Sequence, residues 1–392
     1  IMNDGRISRK ELRKQNEKIQ KRRSGIKTVL IAAVTALFLY ITGIYGTSLA
    51  YLGDFLSNGM TIIQIGGGWP VQEDFSGYIQ SHKMGSALCV LTDDNLLAYS
   101  PTGKQVLSYS HSMSRPVIST SKNRAVLYDL NGTSLKVINS HGVLFRKETD
   151  SNIVHCDISS SNRVAVTTRS RTYNGEVTVY NYNMEPRFAW YCATGYPVYS
   201  RLSSNGNTMA VETLDTRQGI LQSRIYIIDS KEGRELYYIE TGSYPLDMMF
   251  LSADKLLVAY VSGLVLYDVK NQSQIRQLSF DGDSLKAVEK KGSYIAVSYG
   301  GNGRANTTVA LLNLDLSQKA IFNIDDNIKS LSISNSRVFC LGEKALYEYD
   351  YTGNLVNTTR INGFTKALVN YNGTSLIDSD SITKIEKTTS RN

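Results

Sequence analysis

Cysteine and proline are scarce in this sequence, with four cysteines and six prolines among 392 residues. Four scattered cysteines exclude a small disulfide-stapled scaffold, and their spacing matches no metal-ligand motif. Because 42% of the residues are hydrophobic and 20% are charged, the chain is neither collagen-like nor disordered along most of its length. It can therefore bury a sizeable core.

The common signatures of catalysis are also missing. The sequence has no G-x-S-x-G elbow for a nucleophilic serine and no H-E-x-x-H zinc motif. Its histidines show no metal spacing; they are His82, His111, His141 and His155. His155 and Cys156 are neighbours on a predicted strand, so their side chains point to opposite faces and cannot hold one metal ion together. These observations predict no metal site and no catalytic residue, and hence a protein that is not an enzyme.

The positive charge of the chain lies almost entirely at its N-terminus. The formal net charge is +8, and residues 1–27 contain ten lysines and arginines against three acidic residues. The remaining residues are therefore nearly neutral. A neutral body excludes nucleic acid as the expected partner, and residues 1–27 are predicted to form a basic cytoplasmic tail.

A long uncharged segment follows this tail. Residues 28–53 contain no charged side chain, and as a helix they would cover a hydrocarbon core of about 30 Å. The basic residues before this segment predict a single membrane-spanning helix with its N-terminus in the cytoplasm. Residues 54–68 would then be a linker, and the rest of the chain would be extracytoplasmic. The alternative is a cleaved signal peptide, for which Ser48-Leu49-Ala50 offers small residues at suitable positions.

The remainder of the chain is a repeat of short β-branched and aromatic runs separated by turn residues. Units spaced by about 41 residues begin near Tyr78, Pro116, Ile153, Pro197, Leu246, Leu285 and Ile328. Four short strands per unit predict an all-β β-propeller over residues 69–392. Beyond Phe364 the last unit has room for three strands, so we expect residues 69–72 to complete an eighth blade; seven blades is the alternative.

Two segments of the repeat resemble a known family. They are ALCVLTDDNLLAYSPTGK, residues 87–104, and SMSRPVISTSKNRAVLYDLNGTSLKVIN, residues 112–139. They are similar to a family of membrane-anchored extracytoplasmic propellers from Gram-positive bacteria, with WD40-like or quinoprotein-like repeats, that is labelled only as a domain of unknown function. The resemblance implies a fold and a location but no catalytic residue. Quinone-binding propellers resemble repeats with a tryptophan in every blade, whereas this chain has Trp69 and Trp190 alone, so no quinone and no other cofactor is expected.

Three turns are longer than the others and form the candidate site. They cover residues 169–175, 214–223 and 300–306, and each joins the second strand of its blade to the third, which places all three on one face of a propeller. Loops on a rigid scaffold are where binding tends to reside. The predicted site residues are Arg169, Arg171, Tyr173, Arg217 and Arg304. They suggest a cationic rim that binds an anionic partner, either a protein or a cell-wall polymer; freely solvated loops are the alternative.

The predicted function is a protein-interaction scaffold or sensor at the bacterial cell envelope, held in the membrane by one helix. The alternative is an envelope enzyme, a hydrolase or lyase of wall glycans or peptides, with its site in the propeller channel. Carboxylates converging on that channel would favour the enzyme.

Overall fold

The computed structural model of the chain describes residues 45–301, 305–334 and 336–385. Its helix, α1, covers Tyr45–Ile63. Residues 56–392 form one compact unit, and β-strands follow one another along it.

The strands of the first four blades are β2 (Tyr78–Met84), β3 (Ala87–Thr92), β4 (Asn95–Tyr99), β5 (Gln105–Ser110), β6 (Pro116–Thr120), β7 (Ala125–Asp129), β8 (Ser134–Asn139), β9 (Gly142–Glu148), β10 (Ile153–Ile158), β11 (Val164–Thr168), β12 (Gly175–Tyr180), β13 (Pro186–Cys192), β14 (Tyr196–Leu202), β15 (Thr208–Arg217), β16 (Ile220–Asp229) and β17 (Arg234–Thr241).

The remaining strands are β1 (Val71–Gln72), β18 (Asp247–Phe250), β19 (Lys255–Tyr260), β20 (Gly263–Asp268), β21 (Ser273–Ser279), β22 (Ser284–Lys291), β23 (Tyr294–Gly300), β24 (Asn306–Asn313), β25 (Gln318–Asp325), β26 (Ser330–Ser334), β27 (Arg337–Leu341), β28 (Ala345–Asp350), β29 (Leu355–Arg360), β30 (Thr365–Asn370), β31 (Thr374–Asp378) and β32 (Ser381–Ile385).

The strands form eight four-stranded antiparallel sheets, seven of which are built from consecutive strands. The eighth sheet has the order β1-β32-β31-β30. The prediction of an eight-bladed β-propeller is therefore confirmed, and the seven-bladed alternative is wrong. We number the blades 1 to 8, starting with the sheet β2–β5.

The first strand of each blade lines a central channel, and the strands then run outward. The upper face is the one that carries the turns between second and third strands together with the links between blades. The lower face carries the turns between first and second strands and between third and fourth strands. This alternation follows from the antiparallel order, because successive connections lie at opposite ends of the strands.

The ring closes where the sequence predicted. Val71 pairs with Ile382, and Gln72 pairs with Ser381, so a segment from the N-terminal side supplies the outer strand of blade 8. A cluster of buried side chains spans the junction of blades 8 and 1, including Tyr99 and Tyr371. Closure removes the two free edges that an open array of blades would expose.

The core lies between neighbouring blades. Middle strands such as β3 and β11 are buried along their whole length. Each sheet has a neighbouring blade on each of its two faces, and these two blades cover it. Strand β29 on the outside is largely exposed. The cysteines Cys89, Cys156, Cys192 and Cys340 are free and buried, where a thiol packs as a small apolar side chain.

A repeated aspartate stabilises the lower turns. Asp229, Asp268 and Asp350 each end the third strand of a blade. Oδ1 of Asp268 accepts hydrogen bonds from the backbone N–H groups of Lys270 and Asn271 at 3.1 and 2.9 Å, and Asp229 and Asp350 do the same in their turns. Aspartate favours such turns because its side chain satisfies backbone donors nearby.

The predicted linker over residues 54–68 needs correction, because α1 continues to Ile63. The first charged residue marks the end of the apolar run but not the end of the helix. Residues 56–63 include Ser57, Asn58 and Gly59, which are weak helix formers, so contacts with the propeller support this part of the helix. Residues 1–27 and most of the predicted membrane span lie outside the described residues. Within residues 45–301, 305–334 and 336–385, no helix has the length and hydropathy needed to cross a bilayer.

Candidate functional site

A cleft of about 530 Å³ opens on the upper face between blades 2, 3 and 4. We call it the aromatic cleft. The residues that line it are Asn131, Val154, Thr168, Arg169, Ser170, Tyr173, Asn174, Tyr196, Pro197 and Val198. It therefore combines amide, hydroxyl, guanidinium and phenol groups with an apolar floor, a mixture typical of sites that bind other molecules.

The 169–174 turn of blade 3 forms one wall of the aromatic cleft. The backbone N–H of Arg169 donates to the carbonyl of Asn152 at 3.0 Å, and the N–H of Asn174 donates to the carbonyl of Cys192 at 3.0 Å. Between them, Ser170 Oγ accepts from the N–H of Tyr173 at 3.3 Å. The turn is thus fixed at both ends, so the side chains that it carries have defined positions.

A close contact between blades 3 and 4 forms the floor. A Cβ atom on Gly175 would lie 2.5 Å from Cγ of Pro197. Glycine is therefore required for β12 to approach β14 this closely. Tyr196, the residue before Pro197, also lines the cleft.

Exposed tyrosines surround the aromatic cleft. The ring of Tyr173 lies 4.9 Å from that of Tyr191, and Tyr173 and Tyr196 are 44% and 62% exposed. Tyrosine provides a rigid apolar ring with a hydrogen-bonding end, and it is enriched in protein interfaces for that reason.

A two-stranded arm rises beside the aromatic cleft. In blade 4, the pairing of β14 with β15 ends at Tyr196 and Leu214. The pairing of β16 with β17 ends at Ser223 and Thr241. Strands β15 and β16 nevertheless remain paired as far as Arg217 and Ile220. Residues 215–222 therefore project beyond the sheet, and we call them the arm.

The arm corrects one prediction. The sequence predicts a long loop over residues 214–223, whereas the structure makes them a hairpin with Gln218 and Gly219 at its tip. Both tip residues have positive φ, 51° and 80°, as a two-residue hairpin turn requires. The mixed polar and apolar composition of this segment does not show the alternation that would indicate the pairing. Ile220 and Leu221, close to the tip, are 66% and 53% exposed.

The predicted rim residues divide into three groups. Arg169 and Tyr173 line the aromatic cleft together, and Arg171 is exposed on the same turn. Arg217 lies on the arm, where its Nε is 3.6 Å from Asp215 Oδ2, so a neighbouring acid partly neutralises it. Arg304 lies outside the described residues.

Sequence reasoning missed Asn131, Tyr191 and Tyr196 as surroundings of this cleft. Tyr196 stands between Gly195 and Pro197, in a segment whose composition indicates only a link between blades. Tyr191 is exposed near the end of β13, which lies outside the three long turns that the sequence predicts as the site. Asn131 comes from blade 2, and the sequence has no local signal for that contact.

Carboxylates do reach the central channel, the feature that would favour an enzyme. Asp157, Asp247 and Glu289 line it together with Arg201. Arg201 Nη1 lies 2.9 Å from Asp157 Oδ1, and its Nη2 lies 3.3 Å from Asp247 Oδ1. Two of these carboxylates are therefore held by one arginine, which ties the first strands of blades 3, 4 and 5 together.

Glu289, at the channel, and His155, on the first strand of blade 3, are shifted toward their neutral forms. Burial raises the pKa of Glu289 to about 7, with a smaller opposing effect of Lys291. Burial also lowers the pKa of His155 to about 3, and the positive charge of Arg201 adds to this effect. In the described part of the chain, no three histidine, cysteine, aspartate or glutamate side chains are placed to hold one metal ion.

Glu212 gives a pH-dependent prediction for the blade beneath the arm. It is 4% exposed on β15, and burial raises its pKa to about 7, with an opposing effect of the nearby Ser223 hydroxyl. The unfolded chain ionises this group at lower pH than the native protein does. Stability should therefore fall as the pH rises from about 4.5 to 7. Glu212→Gln should raise the free energy of unfolding by up to roughly 3 kcal/mol at pH 8 and by little at pH 4.5.

Denaturant unfolding of the two proteins at both pH values measures this difference. Glu232→Gln, in an exposed turn of the same blade, is the matched control and should change little at either pH. An equal gain from Glu212→Gln at pH 4.5 and pH 8 would contradict the assignment of the penalty to ionisation.

The sequence pattern of a family of unknown function, DUF5711, matches residues 69–386. The chain belongs to this family. The match covers every strand of the propeller and includes both the aromatic cleft and the arm, so the site described above lies within the DUF5711 region. No curated protein sequence matches the chain.

Solved structures share the propeller fold with this DUF5711 protein. BamB from Moraxella catarrhalis has a TM-score of 0.54 at 11% identity, over 81% of this chain and 97% of that one. The C-terminal WD40 domain of Sif2 has a TM-score of 0.61 at 13% identity, over 81% and 97%. Dihydro-heme d1 dehydrogenase NirN, in complex with DHE, has a TM-score of 0.57 at 11% identity, over 73% and 67%. At these identities the likeness concerns the fold.

Proposed function

We propose that this DUF5711 protein is a membrane-anchored, extracytoplasmic interaction propeller of the bacterial cell envelope. In this proposal it binds a partner protein in the aromatic cleft and along the arm. The observation that carries the proposal is the grouping of exposed tyrosines, arginines and the arm's aliphatic pair on one side of the upper face. WD40 and BamB-like folds are consistent with a scaffold of this kind.

The chemistry of the surface defines the partner. Arg169 and Arg171 favour acidic groups, because a planar guanidinium binds carboxylates in a bidentate manner. Tyr173 and Tyr196 favour flat or apolar groups. The aliphatic side chains of Ile220 and Leu221 gain most from other apolar side chains, so a protein segment with acidic and apolar residues fits better than an anionic wall polymer.

The proposed location rests on the sequence. Residues 28–53 are uncharged and follow a strongly basic tail, which is the pattern of a single span with its N-terminus inside. An anchored propeller would keep its partner close to the membrane without needing enzymatic activity.

The envelope hydrolase or lyase is the weaker alternative. Asp157 and Asp247 are engaged by Arg201, so they are not free to act as a general acid and base. The exposed surface around the aromatic cleft has no comparable structural role, and this difference favours the interaction module.

A photo-crosslinking residue in place of Tyr196 tests the proposal in the native envelope. We expect it to capture a specific protein, and the combined variant Arg169→Glu with Tyr173→Ala should reduce capture at least about tenfold, since central aromatic and arginine contacts dominate binding energy. The matched control is Arg360→Glu with Tyr244→Ala, which changes the same residue types at exposed positions elsewhere.

Equal capture by the cleft variant and the control would refute the assignment of binding to the aromatic cleft. Crosslinking to wall polymer alone would refute a protein partner and would identify the anionic polymer as the ligand of the cleft.

A further inference from the structure

The last part of α1 has its polarity reversed relative to an ordinary surface helix. A helix on a soluble protein buries its apolar side and exposes its polar side. Here Ser57 and Thr61 are buried, whereas the large apolar residues of the same segment are exposed. They are Leu56, Met60, Ile62 and Ile63, followed by Ile65, and we call them the apolar stripe.

Hydrogen bonds fix the polar side of the helix to blade 2. Ser57 Oγ lies 2.6 Å from Nδ1 of His141 and 3.3 Å from Oγ of Ser140. One turn later, Thr61 Oγ1 lies 2.8 Å from the same Ser140 Oγ. Ser140 and His141 form the turn between the third and fourth strands, so the helix is attached to the lower face.

Asn58 extends this attachment to blade 1. Its Oδ1 accepts from the backbone N–H of Ser86, in blade 1, at 3.0 Å, and its Nδ2 donates to Oδ1 of Asn123, in blade 2, at 2.6 Å. A Cβ on Gly85 would lie 2.2 Å from Asn58 Oδ1, so a glycine is needed for this approach. The orientation of the helix is therefore set by specific polar contacts on two blades.

This attachment leaves the apolar stripe directed away from the propeller. Ile63 and Ile65 are 73% and 84% exposed. Leu56, Met60 and Ile63 recur at the i, i+4, i+7 spacing of one helix face. A contiguous exposed row of this kind indicates a surface that something apolar covers.

Charge distinguishes the two faces of the propeller. In the upper connections acidic residues outnumber basic ones, apart from the arginines near the aromatic cleft; they include Asp93, Asp94, Asp150, Asp281, Asp283 and Asp326. In the lower turns and at the lower mouth of the channel, lysines offset the repeated aspartates Asp229, Asp268 and Asp350; these lysines are Lys83, Lys104, Lys122, Lys270, Lys290 and Lys291. The lower face is thus the better match for an anionic surface.

We propose that the lower face of the propeller lies on the bilayer, with the apolar stripe in the headgroup region. The inference rests on the proposed membrane anchorage. The bilayer is the occupant that fits, because α1 begins within the uncharged 28–53 run and continues into the stripe, and because lysines lie on the same lower face. The aromatic cleft and the arm, on the opposite face, are then directed away from the membrane toward a partner.

Depth-dependent quenching in nanodiscs tests this orientation with the full chain. The native cysteines are buried, so Met60→Cys or Ile63→Cys can be labelled selectively with an environment-sensitive fluorophore. Spin-labelled lipids in anionic nanodiscs should quench both positions at least about twofold, since such a helix inserts roughly 5–10 Å. Labels at Ile220→Cys and Tyr196→Cys are the upper-face controls and should be unaffected.

The possible results test the membrane anchorage and the orientation of the propeller separately. Failure of the chain to enter nanodiscs would refute the anchorage itself. Incorporation with equal quenching at upper and lower positions, or with none at 60 and 63, would refute the orientation while leaving anchorage intact. Quenching that is equally strong in neutral lipid would refute the contribution of the lysines to membrane binding. It would still support contact between the apolar stripe and the bilayer.

Discussion

Replacing Arg201 with methionine should lower the free energy of unfolding by about 3 kcal/mol, because it leaves Asp157 without its counter-ion inside the protein. Asp157 has only 6% of its side chain exposed, and Asp247 loses the same partner. Arg201 Nε also donates to the carbonyl of Met248 at 2.9 Å. One side chain therefore joins three neighbouring blades at the wall of the channel.

Denaturant unfolding of the purified chain at pH 7 measures the effect. Arg217→Met is the matched control, since its partner Asp215 is on the exposed arm with 33% of its side chain accessible; we expect a change below about 0.5 kcal/mol. Adding Asp157→Asn and Asp247→Asn to Arg201→Met should restore part of the loss. If it restores none, unpaired charge is not the cause.

Replacing Tyr371 with alanine should cost about 3–5 kcal/mol, the range for truncating a fully buried aromatic residue. Tyr371 is completely buried at the junction of blades 8 and 1. Its Oη donates to the carbonyl of Ser86 at 2.7 Å and lies 3.2 Å from the carbonyl oxygen of Tyr99. These contacts join residues from opposite ends of the propeller sequence, so the cavity would weaken the closure of the ring.

Two further variants separate packing from hydrogen bonding. Tyr371→Phe keeps the ring and removes the donor, so we expect a loss of about 1–2 kcal/mol. Tyr244→Ala, at an exposed tyrosine, should change the free energy of unfolding by less than about 0.5 kcal/mol. Limited proteolysis should cut the Tyr371→Ala protein faster in its inter-blade links. Equal stability of the Tyr371→Ala and Tyr244→Ala proteins would contradict the role of this junction.

The blade count and the ring closure could both be predicted from the sequence. Each strand has its own alternation of apolar residues and is bounded by turn residues, and this signal is local. The truncated unit after Phe364 lacks one strand, which implies that another part of the chain supplies it. The pairing of Val71 with Ile382 confirms that reasoning.

The arm and the aromatic cleft could be predicted only in part. Arg169 and Tyr173 can be identified because an unusually long turn is visible in the sequence. The hairpin over residues 214–223 cannot, because its pairing depends on two strands that project beyond their sheet. Asn131 and Tyr196 join Arg169 only through the packing of three blades.

The sequence by itself determined the repeat and the uncharged segment near the N-terminus, since each depends on residues that are close together in the chain. It favoured eight blades over seven, and the missing strand of the last unit indicated that the N-terminal side completes the ring. Tertiary structure decided which turns meet at the aromatic cleft, which carboxylates Arg201 binds, and which side of α1 faces the propeller. Those features depend on contacts between residues in different blades, for which a single sequence carries no local signal.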